Sequence, residues 1–441
     1  MGELNLIIYS SLGMDESAWH RIFKNIKVDK LNITMVGCHN NYSKNIPLDK
    51  DKIYFFFCGE VFPSKKHVTY VKYICELIGK NRIYVGFESL GHPSHMEKWS
   101  MDLFSGFDVV YNSYYKIVDG KKYKWIPGYC WLLGYHPTTE LIKDYNKYCT
   151  NLNPKNKKVK FMVNNPINGS NPLRNYLTIR FLDKSISNQE EFNFYGREEW
   201  ISFYLKHKKL LNYFYYPCKK ELYDSNERST NDQSVLCRKK QSIFTYYKFI
   251  LTIENIPETY ISEKFIDSIY SNSVPIYFGQ ANIDKVFPDI FKNGAINGFS
   301  LLTESEKKEF DRIKDSGVAR QGILTPLILN YKNPIVDNAV DRIVKKLKLM
   351  SKTEYYTRIK TIQKYRDKYL GMFHIGPVHE YAVIDGVFKC QPIQLECCED
   401  SRKFHESLIE TNKRINSNNM NNREPVGPSE KFIQSVIAKK I

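Results

Sequence analysis

YKFILTIENIPETYISEKFIDSIYSNSVPIYFG, residues 247 to 279, decides how the rest of the chain is read. Its first seven residues, 247 to 253, are almost all apolar, aromatic or β-branched, as in a strand buried on both faces of a parallel sheet. A polar loop containing Pro257 follows, and Ser262 then stands where a helix N-cap would stand. Ile261, Phe265, Ile266 and Ile269 repeat at helical spacing, and Ser271-Asn272-Ser273 ends the helix. Residues 274 to 278 supply a second buried strand. The spacing predicts a βαβ unit whose loop lies at the carboxyl edge of the sheet, where such sheets bind ligands.

That loop and the first helical turn hold Glu254, Asn255, Tyr260, Glu263 and Lys264. A lysine there faces the positive end of the helix dipole, an arrangement costing about 0.3 to 1 kcal/mol unless an anion compensates. Free backbone N–H groups at a helix start bind phosphates, so a nucleotide diphosphate is a natural occupant, with Glu263 as an acceptor for ribose hydroxyls. The alternative is a solvated helix end with an incidental Glu–Lys pair.

The runs FILTIEN, YISEK and SVPIYFG closely resemble the donor-binding motif of the α1,3/α1,4-fucosyltransferases, glycosyltransferase family ten. Three departures stand out: Ser262 replaces Thr, Ile253 replaces the Phe before the Glu, and the spacer from Asn255 to Tyr260 is one residue short. The resemblance implies that Asn255, Tyr260 and Glu263 line the guanosine and ribose site and that Lys264 meets the pyrophosphate. Upstream, Asn164-Asn165-Pro166 and Pro172-Leu173-Arg174-Asn175 resemble two further family elements. They imply donor contacts for Asn165 and a diphosphate contact for Arg174, whose fork of charged N–H groups suits that role. Read alone, an arginine starting a helix is usually solvated.

Over residues 1 to 150, short apolar runs alternate with helical patterns, the rhythm of a parallel α/β domain. The runs are 4–9, 33–36, 53–57, 82–87 and 108–111, and Val68, Val71, Ile74, Cys75 and Ile78 mark one helix face. Glu88 follows the fourth run, in RIYVGFES, and the resemblance places the family's general base there. Glu60, after the run FFFCG, is the rival position.

A polar stretch, residues 151 to 158, reads as a linker to a second domain, 159 to 370, that would bind the GDP-sugar. Helical stripes between residues 343 and 369 close it, with Ser351 and Glu354 spaced as a capping box. Residues 371 to 441 read as an extension, partly disordered through the Asn-rich stretch 412–428. The expected architecture is α/β, with two Rossmann-like domains. The resemblance implies the GT-B arrangement, in which they face each other across a cleft.

With 441 residues and 42% hydrophobic content, the chain can bury two ordinary cores. It carries 65 basic against 48 acidic residues, a net +17. The lysines are dispersed rather than blocked, so no nucleic-acid partner is expected. The ten cysteines show no C-x-x-C and no zinc spacing, so most should be reduced thiols; the vicinal Cys397 and Cys398 read as incidental. No stretch reaches transmembrane length and the first twelve residues do not read as a signal anchor, so a cytoplasmic protein is expected.

The resemblance implies transfer of L-fucose from GDP-β-L-fucose to a glycan hydroxyl, with inversion and without a metal or other cofactor. The only D-x-D, Asp49-Lys50-Asp51, reads as surface. Two other readings stand: transfer from another GDP-sugar, and a non-catalytic carbohydrate- or nucleic-acid-binding protein.

Overall fold

Strand β1 (Glu3–Tyr9) buries six of its seven residues, as a run of Leu and Ile ending in Tyr should when both sheet faces are covered. The computed structural model describes residues 2–10, 14–37, 45–59, 65–86, 103–104, 106–113, 118–128, 136–137, 143, 159–164, 174, 176–177, 180–181, 192–195, 244–245, 247–254, 261–315, 333–390 and 395–421. They fall into two units, 1–137 with 371–441, and 138–370.

In the first unit, β1 is followed by β2 (Ile26–Lys27), β3 (Lys30–Val36), β4 (Tyr54–Cys58), β5 (Arg82–Val85), β6 (Val109–Asn112) and β7 (Tyr123–Trp125). Six of these form one parallel sheet in the order β3-β1-β4-β5-β6-β7. The helix Glu16–Ile22 starts at Asp15, whose carboxylate accepts from Ala18 N at 2.8 Å. The helix Lys65–Ile78 buries Val68, Val71, Ile74 and Cys75, as its apolar spacing predicts, and Tyr70 beside them. These side chains meet Ile7, Phe56 and Tyr84 of the sheet in one core.

The second unit contains β8 (Val159–Asn164), β9 (Phe192–Tyr195), β10 (Tyr247–Ile253), β11 (Val274–Phe278) and β12 (Ile296–Asn297). They too form a parallel sheet, in the order β12-β11-β10-β8-β9. The two parallel sheets with their helices are the α/β, Rossmann-like units that the sequence pattern predicts. Helices Pro334–Lys348 and Lys352–Met372 follow, and Glu354 N donates to Ser351 Oγ at 3.1 Å, the backbone half of the expected capping box.

The C-terminal part differs from its sequence reading. Residues 371–441 group with the N-terminal unit instead of standing apart, and the helix Glu399–Asn421 runs through the first ten residues of the stretch expected to be disordered. The physical reason is burial: Leu408 and Ile415 of that helix are at most 1% exposed. In addition, Asn412 Oδ1 accepts from Trp125 N at 2.7 Å while its amide donates to Trp125 O at 2.8 Å, which satisfies the open edge of β7. A two-residue strand β13 (Glu396–Cys397) pairs antiparallel with β2. Among the described residues, no helix is long and apolar enough to cross a membrane.

Candidate functional site

The carboxyl edge of the second sheet has a topological switch point. From β8 the next strand, β9, lies to one side, and from β10 the next strand, β11, lies to the other. β8 and β10 are neighbours, with Val163 opposite Leu251, so the chain leaves both strands on one edge at the place where α/β sheets bind ligands. Asn165 follows β8 and Glu254 follows β10 directly.

The helix Glu263–Tyr270 begins at this edge. Ser262 is its N-cap, in extended backbone, with Oγ accepting from Lys264 N at 3.4 Å. Its orientation is set from below by Phe265, which stacks on Phe287 and Phe291 and meets Tyr277 and Tyr369 edge-on. Thr252 and Ser268 hydroxyls, 2.8 Å apart, tie the helix to β10. Every residue from Lys264 to Tyr270 is buried.

Lys264 is therefore not a solvated lysine, since only 4% of it is exposed. Its Nζ donates to Glu263 Oε1 at 2.9 Å and to Ser262 Oγ at 3.2 Å. The expected Glu–Lys pair exists, but its cationic end is held inside the protein while the Glu263 side chain is 40% exposed.

Behind the cap stands Glu254, fully buried. It accepts from Ser262 N at 2.9 Å and from Ser262 Oγ at 2.5 Å. Burial raises its carboxyl above the usual range, opposed by the Lys264 charge and the Ser262 hydrogen bonds, with Glu263 acting in the same direction as burial. The chain passes close by at Gly279, where an added Cβ would stand 2.7 Å from Glu254 Cγ and closer still to the Tyr277 hydroxyl, so only glycine fits without displacement.

Arg174 lies in the same unit, on a helical segment, and is wholly buried with Tyr176 and Leu177. This contrasts with the solvated arginine that a helix start suggests when read alone. A guanidinium so placed requires hydrogen-bonding or anionic surroundings. The structure thus brings Glu263 and Lys264 together and places Arg174 in the interior of the same unit. Glu88, Asn165, Asn255 and Tyr260 lie outside the described residues, as does Glu60. The sequence reading did not assign a role to Glu254; the available signal was a carboxylate directly ending a run buried on both faces.

Asp49-Lys50-Asp51 forms a surface turn, with Asp51 N donating to the exposed Asp49 carboxylate at 3.1 Å. Cys58 and Cys75 are buried, with burial pushing the Cys75 thiol up to about 12, and Cys75, Cys397 and Cys398 are free thiols. Among the described residues, no group of three or more His, Cys, Asp or Glu side chains could hold a metal ion.

No family model matches the chain. An alpha-(1,4)-fucosyltransferase of Arabidopsis thaliana is 47% identical over 45 residues, so the chain spans about a tenth of the length of that relative: 10% of this chain and 11% of the other. Among solved structures, a crystal structure of alpha1,3-fucosyltransferase is similar at 16% identity and a TM-score of 0.39, covering 85% of this chain and 93% of that one. The alpha1,3-fucosyltransferase with GDP-fucose is similar at 15% identity and a TM-score of 0.35, covering 84% and 91%. In these comparisons the chain is similar to α1,3- and α1,4-fucosyltransferases, the family that its own 247–279 motif resembles.

Proposed function

We propose that the chain is an inverting fucosyltransferase that moves L-fucose from GDP-β-L-fucose to a hydroxyl of a glycan acceptor in α1,3 linkage. The carrying observation is the Lys264 ammonium, buried at the first turn of the helix that follows β10, beside a switch point of a parallel sheet. A cation in that position would oppose the helix dipole, and a bound diphosphate would satisfy both. In this reading the second unit binds the donor: Asn255, Tyr260 and Glu263 hold the nucleoside, Arg174 and Lys264 hold the diphosphate, and Asn165 makes a further donor contact. In the same reading the first unit carries the acceptor side.

The acceptor oxygen attacks the anomeric carbon of fucose from the face opposite GDP. As that bond forms, the bond from the anomeric carbon to the phosphate oxygen breaks, and its electron pair leaves with GDP. The hydroxyl proton passes to the carboxylate of Glu88, because an alcohol is a weak nucleophile at neutral pH. Arg174 and Lys264 stabilise the charge gathering on the diphosphate, a task assigned to cationic side chains rather than to a metal. The first sheet also has a switch point, between β1 and β4, and Glu60 follows β4. That topology favours Glu60 as the second candidate for the base. A cytoplasmic site of action belongs to the proposal, consistent with the free thiols of Cys75, Cys397 and Cys398.

The test is release of GDP from a panel of GDP-sugars in the presence of glycan acceptors. The proposal expects turnover with GDP-fucose and an acceptor together. Preference for a different GDP-sugar would replace the donor. Binding without GDP release, falling steeply with salt, would favour a non-catalytic binder.

A further inference from the structure

We propose that Glu254 is a positioning residue for Lys264, acting through the hydroxyl of Ser262; this deepens the donor-site reading above and rests on it. A serine hydroxyl has one proton and two lone pairs. At Ser262 the proton goes to Glu254 Oε2, at 2.5 Å, and the oxygen accepts from Lys264 Nζ at 3.2 Å and Lys264 N at 3.4 Å. The other carboxylate oxygen, Oε1, accepts from Ser262 N at 2.9 Å. Both oxygens of Glu254 thus face donors on one residue, and the carboxylate dictates which way the hydroxyl points. With its proton turned to Glu254, Ser262 presents lone pairs to the lysine.

The consequence reaches the ammonium. Among the described residues, Ser262 and Glu263 take two of the three N–H donors of Lys264. Ser262 is the buried anchor, 1% exposed, whereas the Glu263 side chain is 40% exposed. The inner hydrogen bond therefore fixes where the charge stands, and the third N–H is left for an oxygen of the diphosphate. Gly279 supports the device from behind, because its missing side chain lets β11 end against Glu254.

Glu254→Gln probes the relay with little change of volume. An amide has a single acceptor oxygen, so one of the two Ser262 donors must face the amide N–H₂. If that donor is the hydroxyl, its proton turns toward the lysine and the inner anchor is lost. Calorimetry of GDP on the full chain compares wild type, Glu254→Gln, Lys264→Ala and the double variant, with thermal melts as the folding control. Glu254→Gln is expected to weaken GDP about three- to tenfold in the wild-type background, the worth of one net hydrogen bond, and to have no further effect once Lys264 is alanine. Equal losses in both backgrounds would mean that Glu254 only supports the fold, and would overturn the proposal.

A second measurement needs no nucleotide. The rate at which acetic anhydride labels Lys264, followed by mass spectrometry, is expected to rise in Glu254→Gln and in Ser262→Ala; unchanged labelling in both would reject the relay. Wild-type protein that binds no GDP, or Lys264→Ala that binds it normally, would instead remove the donor-site reading. Labelling would still decide whether Glu254 positions Lys264.

Discussion

Glu254 and Ser262 make two hydrogen bonds across eight residues, from Ser262 N at 2.9 Å and from Ser262 Oγ at 2.5 Å, and so pin the end of a buried strand to the cap of the following helix. The consequences for function begin with the Lys264 cation held beside that cap.

Lys264→Ala and Arg174→Ala should each weaken GDP binding. Each removes a charged donor assigned to the diphosphate, and hydrogen bonds to charged groups contribute about 1.5 to 3 kcal/mol. A loss of at least about tenfold in affinity is expected by calorimetry. Arg174 is completely buried, so its variant must first be shown to melt cooperatively. Unchanged GDP affinity in both variants would dismiss the diphosphate assignment.

Glu88→Gln should separate chemistry from donor binding. It keeps the size of the side chain and removes its ability to accept a proton, so GDP affinity should stay near wild type. Turnover should fall by ~10² to 10⁴, the usual contribution of a positioned general base. Normal turnover would move the role first to Glu60, which follows β4 in the chain. Joint loss of GDP binding and turnover in a folded variant would place Glu88 on the donor instead.

Excess EDTA should leave most turnover intact, since leaving-group stabilisation is assigned to Arg174 and Lys264. A preparation that loses nearly all activity and regains it with Mn²⁺ or Mg²⁺ would contradict that assignment.

Glu380 should impose a pH dependence on stability. It is fully buried in the first unit, accepting from Asn25 N at 3.0 Å and Ser401 Oγ at 2.8 Å, with His136 Nε2 at 3.3 Å and His405 Nε2 at 3.9 Å. Burial lifts its carboxyl from 4.5 to about 8, against those hydrogen bonds, so the folded protein holds this proton more tightly than the unfolded chain. That contribution to stability is complete below the unfolded value of 4.5 and is lost as pH rises to about 8. Burial holds His136 and His405 down at about 4, with the opposite sign: their contribution is present above 6.5 and lost as pH falls toward 4. Above pH 6.5 the opposing imidazole contribution fades and, of these three groups, the carboxyl dominates toward pH 8, with a slope of at most about 1.4 kcal/mol per pH unit. Thermal melts at pH 6.5 and 8.5 should show wild type losing stability relative to Glu380→Gln. Parallel curves for the two proteins would refute the assignment.

Much of the fold was legible in local pattern. The unbroken apolar runs of β1, β10 and β11, the helical spacing at Val68, Val71, Ile74 and Cys75, and the cap at Ser262 all depend on neighbours within a few residues. Short strands were harder, because β7 and β12 have only three and two residues and no period to read. Of the candidate site, residue types and spacing singled out Glu263 and Lys264, but not that Lys264 would be buried or that Glu254 would stand behind its cap.

Alone, the sequence determined which segments could become strands and helices, since hydrophobic period and capping chemistry act over a few residues. The tertiary structure decided what those segments meet. Residues 371–441 join the N-terminal unit because Glu380 reaches Asn25 and Asn412 reaches Trp125, contacts 355 and 287 residues apart in the chain. An Asn-rich stretch reads as disordered by composition, yet Asn412 becomes an ordered partner when it fills the open hydrogen bonds of an edge strand. Burial of the ionisable groups Glu254, Lys264 and Glu380 belongs to the same class, because desolvation depends on everything packed around a group and not on its neighbours in the chain.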